Sequence, residues 1–263
     1  MALGTLTAEQ TAAFEADGYL MIPGLFNREE ADLMCRIARA DRILAERAHD
    51  RGDREGLRSR ISLDNELHDD IYAAIARSRR VVGAMEQLLG GEVYHYHHKM
   101  TMKEPRAGGA WEWHQDYGYW YNNGCLWPDM ASVMVAVDRA TRQNGCLQVI
   151  RASHKLGRLN HMASGEQTGA DLEHVEAALK RLELVYCEME PGDGLFFHCN
   201  TLHRSDANLS PNPRWTLICC YNTKRNDPFK EHGHPNYSPL EVWDDECVLE
   251  IGRRDAAALV PAG

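Results

Sequence analysis

A histidine and an aspartate two residues apart, His114 and Asp116, stand inside a run of aromatic residues. On a β-strand, side chains two positions apart point to the same face, so this pair could close on a single metal ion. A neutral imidazole and one carboxylate are two of the three ligands of the facial arrangement that holds iron(II) and leaves coordination positions open. An isolated pair at this spacing also occurs in sequences without a metal, so the prediction requires a second histidine elsewhere in the chain.

The second half of the chain offers that histidine. His203 follows a predicted strand, Ser205 lies two residues later, and Arg214 opens the next predicted strand. Arginine suits a carboxylate ligand because its planar guanidinium can donate two parallel hydrogen bonds to it. His198 competes with His203 as the metal ligand, but a strand histidine beside two phenylalanines is more often a hydrogen-bonded core residue.

These residues together resemble the phytanoyl-CoA dioxygenase family of iron(II)- and 2-oxoglutarate-dependent oxygenases, which includes the ectoine hydroxylases. The resemblance runs from Asp17-Gly18-Tyr19 to Asn222, so it covers most of the chain. It implies that the enzyme uses iron(II), 2-oxoglutarate and O2 to oxidise an unactivated C–H bond of a small molecule, releasing succinate and carbon dioxide. Hydroxylation, desaturation and ring closure all fit this chemistry, and the sequence does not choose among them.

Carried over position by position, the resemblance implies roles for seven residues. It makes three of them the iron ligands: His114, Asp116 and His203. Arg214 would bind the distal carboxylate of 2-oxoglutarate, with Ser205 beside it. Lys103 and His97, on the preceding strand, lie where family members place further contacts to the co-substrate. His97 departs from the family pattern, since the ectoine enzymes have a glutamine at that position.

The aromatic run is predicted to contribute to a substrate pocket, because aromatic rings stack on sugar faces and attract cations. Alternation turns half of the rings toward the core, and we expect Trp113 or Tyr117 near the substrate. His154 is expected at the edge of the site. The acidic chain favours a polar or cationic substrate, such as a sugar, an aminoglycoside or an amino-acid derivative, over a coenzyme A thioester. Tailoring of a natural product fits this expectation.

Two other classes of function stay open at this point. One is a zinc-dependent hydrolase that uses the same three ligands, although the arginine and lysine would then have no function. The other is a non-catalytic jelly-roll binding module, which a complete ligand set disfavours. A separate zinc site at His95, His97 and His98 is disfavoured because alternation divides these residues between two faces and no cysteine lies near.

The first third of the chain shows helical patterns. Thr7 starts a capping box, which predicts a helix that ends at Gly18. A second helix is predicted over 27–48, with Asn27 as its cap. The charged segment 50–60 predicts an exposed loop or a lid, and the segment 67–89 predicts two further helical pieces.

From residue 93 the hydrophobic pattern changes to a period of two, which indicates strands. Strands are predicted at 93–103, 132–137, 146–150, 184–188, 195–199 and 215–221, with a helix at 171–182 between them. Many short strands with turn signals are typical of a sandwich or jelly roll. We therefore predict a mainly β fold with N-terminal helices, a cupin-like double-stranded β-helix. The prediction is one domain over 1–263, with a helical part at 1–92, a jelly-roll core at about 93–225 and a C-terminal extension at 226–263.

Composition excludes several classes of function. The 263 residues carry a formal net charge of −10, which argues against a nucleic-acid partner because no basic block is left to neutralise phosphates. No apolar run is long enough to span a membrane. The start of the chain lacks the features of an export signal, and the eight cysteines show no CxxC spacing, so we expect a cytoplasmic protein with reduced thiols. The oligomeric state is not predicted.

Overall fold

Two antiparallel sheets form the centre of the computed structural model, which describes residues 6–164 and 166–259. Within these residues the strands are β1 Tyr19–Ile22, β2 His49–Gly52, β3 Arg58–Asp64, β4 Val93–Lys103, β5 Trp111–His114, β6 Met130–Ala136, β7 Leu147–Ile150, β8 His161–Ser164, β9 Gln167–Ala170, β10 Leu184–Cys187, β11 Gly194–His198, β12 His203–Ser205 and β13 Arg214–Thr223. The helices are α1 Ala8–Asp17, α2 Arg28–Ala40, α3 Arg42–Arg47, α4 Ile71–Arg77, α5 Arg79–Leu89, α6 Tyr117–Trp120, α7 Leu172–Leu179 and α8 Glu246–Ala258.

The strand order is that of a jelly roll. The large sheet has the order β1-β11-β6-β13-β4-β3-β2, the small sheet has the order β10-β7-β12-β5, and β8 and β9 form a separate hairpin. One apolar core lies between the two sheets, and another lies between the helices and the outer face of the large sheet. The predicted fold class is therefore confirmed.

The N-terminal helices begin and end where the capping residues predict. Thr7 caps α1 in a capping box, and α1 stops at Gly18, whose φ of +81° favours glycine. A Cβ at Gly18 would also collide with the ring of His154. The second predicted helix is shorter than expected: α2 ends at Ala40, because Asp41 leaves the helical conformation and caps α3 instead.

The segment 50–60 is not one exposed loop, contrary to the prediction: it holds parts of two strands, and residues 53–57 form the turn between them. It belongs to the hairpin of β2 and β3, which extends the large sheet beyond β4. Ile61 and Leu63 face a cavity between the sheets. Asp50 carries ion pairs on the hairpin's other face, with Arg58 and Arg60. The charged outer face concealed the alternation that makes this segment a strand pair.

The C-terminal extension contains structure that the sequence did not predict. Helix α8 packs against α2 and α4, where Gly252 lets it approach Leu33 and Ile71.

The β8–β9 hairpin, at residues 161–170, was also not predicted from the sequence. In the part of the chain that the structure describes, no helix has the length and apolar character needed to cross a bilayer. The assignment of residues 1–263 to one domain stays a prediction.

A buried ion pair ties α2 to α5. Glu30 is 2% exposed and accepts hydrogen bonds from both terminal nitrogens of Arg80, at 2.9 and 2.8 Å. We expect Glu30→Ala to lower the free energy of unfolding by about 3 kcal/mol, because it leaves a buried guanidinium short of one carboxylate. The matched control is Glu29→Ala, since Glu29 is half-exposed, and we expect a change below about 0.5 kcal/mol. Urea unfolding measures both values, and equal losses would contradict this account.

Candidate active site

Three side chains from two segments of the chain meet at the inner face of the small sheet. His114 ends β5 and His203 opens β12, and these two residues are direct partners in the strand pairing. The Nε2 atoms of both histidines lie 3.9 Å from Oδ1 of Asp116. One donor atom from each residue lies within 4.8 Å of the other two, so the group can hold one metal ion.

The route by which Asp116 reaches this point differs from the prediction. Strand β5 stops at His114, and Asp116 has helical backbone angles at the start of α6. Gln115 is fully buried and fixes the bend, because its side chain bonds the backbone of Gly157, Leu159 and Asn200. The two predicted residues therefore converge through a turn, and not by sharing one face of a strand.

Hydrogen bonds orient both imidazoles. Nδ1 of His114 lies 2.7 Å from the carbonyl oxygen of Glu112, and Nδ1 of His203 lies 2.9 Å from that of Thr201. A carbonyl only accepts, so each Nδ1 carries the proton and each Nε2 presents a lone pair to the site. Burial lowers the pKa of both histidines, which keeps them neutral.

Asp116 is an anion in this setting. Burial raises the pKa of its carboxyl, but its neighbours, the Lys99 ammonium first among them, together lower it by more, so its pKa lies below the ordinary value. Oδ2 accepts a hydrogen bond from Ser132 at 3.2 Å, and Oδ1 lies 3.9 Å from Nζ of Lys99. The three groups are thus in the protonation states that a divalent metal requires.

A cavity of about 570 Å³ opens between the two sheets in front of these residues. Arg214 and Ser205 both line this cavity. Arg214 donates to the Gly145 carbonyl and to Thr216, which leaves part of its five donors free. Burial lowers the pKa of Arg214 to about 10, so the guanidinium stays charged. The buried Oγ of Ser205 has no hydrogen-bond partner among the described residues.

His97 also lines the cavity. It is 3% exposed, its ring stacks on His234 at 4.7 Å, and its Nδ1 has no hydrogen-bond partner in the described part of the chain. Burial and the neighbouring Lys99 hold the pKa of His97 well below its usual range, so the ring is neutral.

Lys103 does not line the cavity, which corrects the expectation of a co-substrate contact. Its ammonium points to the backbone carbonyls of Ser205 and Asp206, behind the cavity wall. Burial and then Arg214, its direct partner across β4 and β13, hold the pKa of Lys103 well below the ordinary value. Its direct partner Arg214 lines the cavity, whereas the Lys103 side chain turns toward these two carbonyls instead.

The three residues expected near the substrate also lie outside the cavity. Trp113 packs in a small core with Ile150 and Leu202. The Tyr117 hydroxyl donates to the Cys125 carbonyl within the core between the sheets. His154 packs against α1, where Nε2 lies 3.2 Å from the Glu15 carbonyl. These expectations are corrected: the side chains are needed for packing, and other residues form the cavity wall.

The competing histidines have structural roles. Nδ1 of His198 accepts a hydrogen bond from the Asn200 backbone at 3.0 Å. His95 and His98 bond each other at 3.2 Å on the opposite face of β4 from His97. Among the described residues, His114, Asp116 and His203 are the one group of three or more with metal-binding geometry.

Several residues of the cavity wall were missed. Lys99 is the most important, because it places a cation beside Asp116. The alternation of β4 gives the signal, since Lys99 lies two residues from His97 and Thr101 and all three line the cavity. The aromatic part of the wall comes from Trp111, Tyr119, Trp120 and His234. No local pattern distinguishes these rings from those that enter the core.

The side chains that line the cavity have the chemistry needed to bind an iron(II) ion and 2-oxoglutarate. Two neutral imidazoles and a carboxylate on one face form the donor set that iron(II) oxygenases use. A buried guanidinium with free donors and an unpartnered serine hydroxyl fit a carboxylate.

Comparisons with known proteins agree with this chemistry. The model of the family "Phytanoyl-CoA dioxygenase (PhyH)" matches residues 14–216. The L-proline trans-4-hydroxylase of Streptomyces griseoviridis is 32% identical over 199 residues, which cover 69% of this chain and 72% of the relative. The ectoine dioxygenase of Streptomyces avermitilis is 29% identical over 254 residues, covering 90% and 85%.

Solved structures show the same fold. The crystal structure of EctD from S. alaskensis with 2-oxoglutarate and 5-hydroxyectoine aligns with a TM-score of 0.77 at 25% identity, covering 93% of this chain and 89% of that one. The carbocyclase SnoK from nogalamycin biosynthesis has a TM-score of 0.69 at 19% identity, covering 89% and 97% of the two chains, and supports the fold alone. The protein therefore belongs to the phytanoyl-CoA dioxygenase family and is a non-haem dioxygenase that uses iron(II), 2-oxoglutarate and O2.

Proposed function

We propose that His114, Asp116 and His203 bind the iron(II) ion, and that Arg214 and Ser205 bind the distal carboxylate of 2-oxoglutarate. The observation that carries this proposal is the convergence of three metal-ready donor atoms on the wall of a cavity that the buried Arg214 guanidinium also lines. When bound, iron and 2-oxoglutarate use O2 to hydroxylate a substrate C–H bond, with succinate and carbon dioxide as the other products.

The chain's own residues then position the reactants and keep the site dry. The carbonyls of Glu112 and Thr201 hold the two imidazoles in one tautomer. Phe197 packs its ring 5.0 Å from that of His203, so apolar surface covers the ligand on that side. Met134, Leu147 and Ile218 extend this apolar wall, which excludes water from the region around the metal ligands.

For the substrate we propose a small molecule that carries a carboxylate, held by Lys99. Lys99 is largely buried, and Asp116 is the carboxylate within ion-pair distance of it among the residues described. If iron occupies Oδ1 of Asp116, the ammonium needs another anion, since an uncompensated buried charge is costly. Burial lowers the pKa of Lys99, but Asp116 and Cys220 more than offset this, so the group remains a cation.

The charge of the cavity supports the same substrate class. Its wall carries three cations, Arg51, Lys99 and Arg214, and two carboxylates, Asp116 and Glu166. Adding iron(II) and the dianion 2-oxoglutarate leaves a net charge of +1 by this count, which favours a monoanion. Of the substrates expected from the sequence, an amino-acid derivative fits best. The names of two relatives, a proline hydroxylase and an ectoine dioxygenase, refer to small cyclic compounds with a carboxylate.

The first test is Lys99→Met, assayed with L-proline, ectoine and related cyclic amino acids beside their carboxamides. We expect the acid to lose at least about 30-fold in kcat/KM, from the 2–5 kcal/mol that a truncated buried charge pair costs, while the amide changes little. Lys99→Arg keeps the charge and should retain most of the preference for the acid. A Lys99→Met enzyme that still prefers acids, or that instead loses 2-oxoglutarate binding, would overturn the assignment of Lys99 to the substrate.

Loading the protein with iron(II) or with zinc distinguishes the dioxygenase from the two other classes, a zinc-dependent hydrolase and a non-catalytic binding module. We expect anaerobic iron(II) with 2-oxoglutarate to give a weak visible charge-transfer band, and zinc to give none. Succinate release with iron but not with zinc would exclude both a zinc-dependent hydrolase and a non-catalytic binding module. A cytoplasmic location stays part of the proposal, supported by eight cysteines that are all free thiols. That nucleic acid and membranes are not partners also stays part of the proposal, and the formal net charge of −10 supports it for nucleic acid.

A further inference from the structure

The two oxygens of the Asp116 carboxylate have different neighbours. Oδ1 lies 3.9 Å from Nε2 of His114, Nε2 of His203 and Nζ of Lys99. Oδ2 points away from this group and accepts a hydrogen bond from Oγ of Ser132 at 3.2 Å. Oδ1 thus faces the two histidines and Lys99, while Oδ2 is held by a serine of the large sheet.

Ser132 is itself fixed by the strand next to it. It lies on β6, is fully buried, and pairs directly with Cys220 of β13, whose Sγ is 3.2 Å from the serine Oγ. The serine has a single proton, and an ionised carboxylate is a stronger acceptor than a thiol. The proton therefore goes to Asp116, and the thiol of Cys220 can donate to the serine oxygen. Both residues lie in central strands of the sheet, so this chain of two bonds is rigidly placed.

We propose that Ser132 is a positioning residue that makes Asp116 a one-oxygen ligand of iron. This inference rests on the proposed role of Asp116 as an iron ligand. A carboxylate can bind a metal through one oxygen or through both. If Asp116 used both oxygens, it would take a coordination position that 2-oxoglutarate or O2 requires. The bond from Ser132 occupies Oδ2 and keeps that position open.

The experiment compares four variants under anaerobic conditions with iron(II) and 2-oxoglutarate. Ser132→Ala removes the donor, Ser132→Cys keeps a weak one, and Ser132→Thr keeps the hydroxyl. Cys220→Ala is the matched control, because it removes a buried polar group one step further from the carboxylate. The measurements are the dissociation constant for iron(II), the visible band of the iron and 2-oxoglutarate complex, and the thermal midpoint of each apoprotein.

We expect Ser132→Ala to weaken iron binding by about 10- to 100-fold, the usual effect of losing an outer hydrogen bond to a metal ligand. Its visible band should shift or weaken, because the coordination of the metal changes. Ser132→Cys should be intermediate, Ser132→Thr should restore the wild-type band, and Cys220→Ala should stay within about threefold of wild type. If Ser132→Ala does not fold, the comparison of Ser132→Cys with wild type decides.

A failure of the proposed role of Ser132 can be distinguished from a failure of the iron-ligand assignment. If wild-type protein binds iron(II) with a normal band and Ser132→Ala or Ser132→Cys binds equally well with the same band, the role of Ser132 is wrong. If wild-type protein itself shows no iron-dependent band with 2-oxoglutarate, the assignment of the iron ligands is wrong instead.

Discussion

Replacing His203 with alanine is expected to lower 2-oxoglutarate turnover by on the order of 10³-fold or more. The metal contributes several kcal/mol to catalysis, and each 1.36 kcal/mol is a factor of ten in rate. His203 Nε2 is one of three donors within 4.8 Å of one another, and neither remaining residue can replace it. The variant should also lose the visible band that iron(II) and 2-oxoglutarate give without O2. Succinate release and the anaerobic spectrum measure the two effects.

The control for this prediction is His198→Asn. His198 lies five residues earlier and is partly buried, but its Nδ1 accepts a backbone hydrogen bond that an asparagine oxygen can accept as well. We expect turnover within about threefold of wild type, as for a surface or packing change that leaves the ligands intact. If His198→Asn lost the band and His203→Ala kept it, the two histidines would exchange roles.

Replacing Arg214 with methionine is expected to raise the KM for 2-oxoglutarate at least 30-fold, while iron(II) binding changes little. Arg214 is 2% exposed, and removing one partner of a buried charge pair costs about 2–5 kcal/mol, where 1.4 kcal/mol is tenfold in affinity. Arg214→Lys keeps the charge but loses the two parallel donors, so we expect an intermediate KM. Titration of the visible band with 2-oxoglutarate gives the affinities directly.

Lys103 provides the matched comparison for Arg214. It is buried beside Arg214 as its pairing partner, yet its ammonium contacts backbone carbonyls and lies outside the cavity. Lys103→Met should therefore lower the thermal midpoint without a specific loss of 2-oxoglutarate affinity. A larger rise in the KM for 2-oxoglutarate in Lys103→Met than in Arg214→Met would show that Lys103 contacts 2-oxoglutarate, as the family resemblance implies, and would contradict its placement outside the cavity.

Local signals in the sequence were sufficient for the elements that local interactions determine. Thr7 and Asn27 cap their helices through neighbouring backbone groups, and the strand alternation from residue 93 reflects a buried sheet face. The hairpin at 50–60 was missed because its charged outer face dominates the composition. Its position depends on pairing with β4, which lies far along the chain.

The three candidate metal ligands could be picked out from the sequence, but the residues of the cavity wall could not. His114, Asp116 and His203 are recognisable by type and spacing, yet the bend at Gln115 that brings the aspartate in depends on backbone groups of residues 157–200. Trp113 and Tyr117 were expected near the substrate, and tertiary packing placed them in the core instead. The alternation of β4 gives Lys99 and Lys103 the same face, but Lys103 bonds the carbonyls of Ser205 and Asp206, which are distant in the chain, and does not line the cavity.

The most direct test of the iron site is an anaerobic crystal structure of the protein with iron(II) and 2-oxoglutarate. We expect iron bonded to Nε2 of His114, Oδ1 of Asp116 and Nε2 of His203, with the distal carboxylate of 2-oxoglutarate on Arg214. Density that placed the metal on any other set of side chains, or that turned the Arg214 guanidinium away from the bound 2-oxoglutarate, would contradict it.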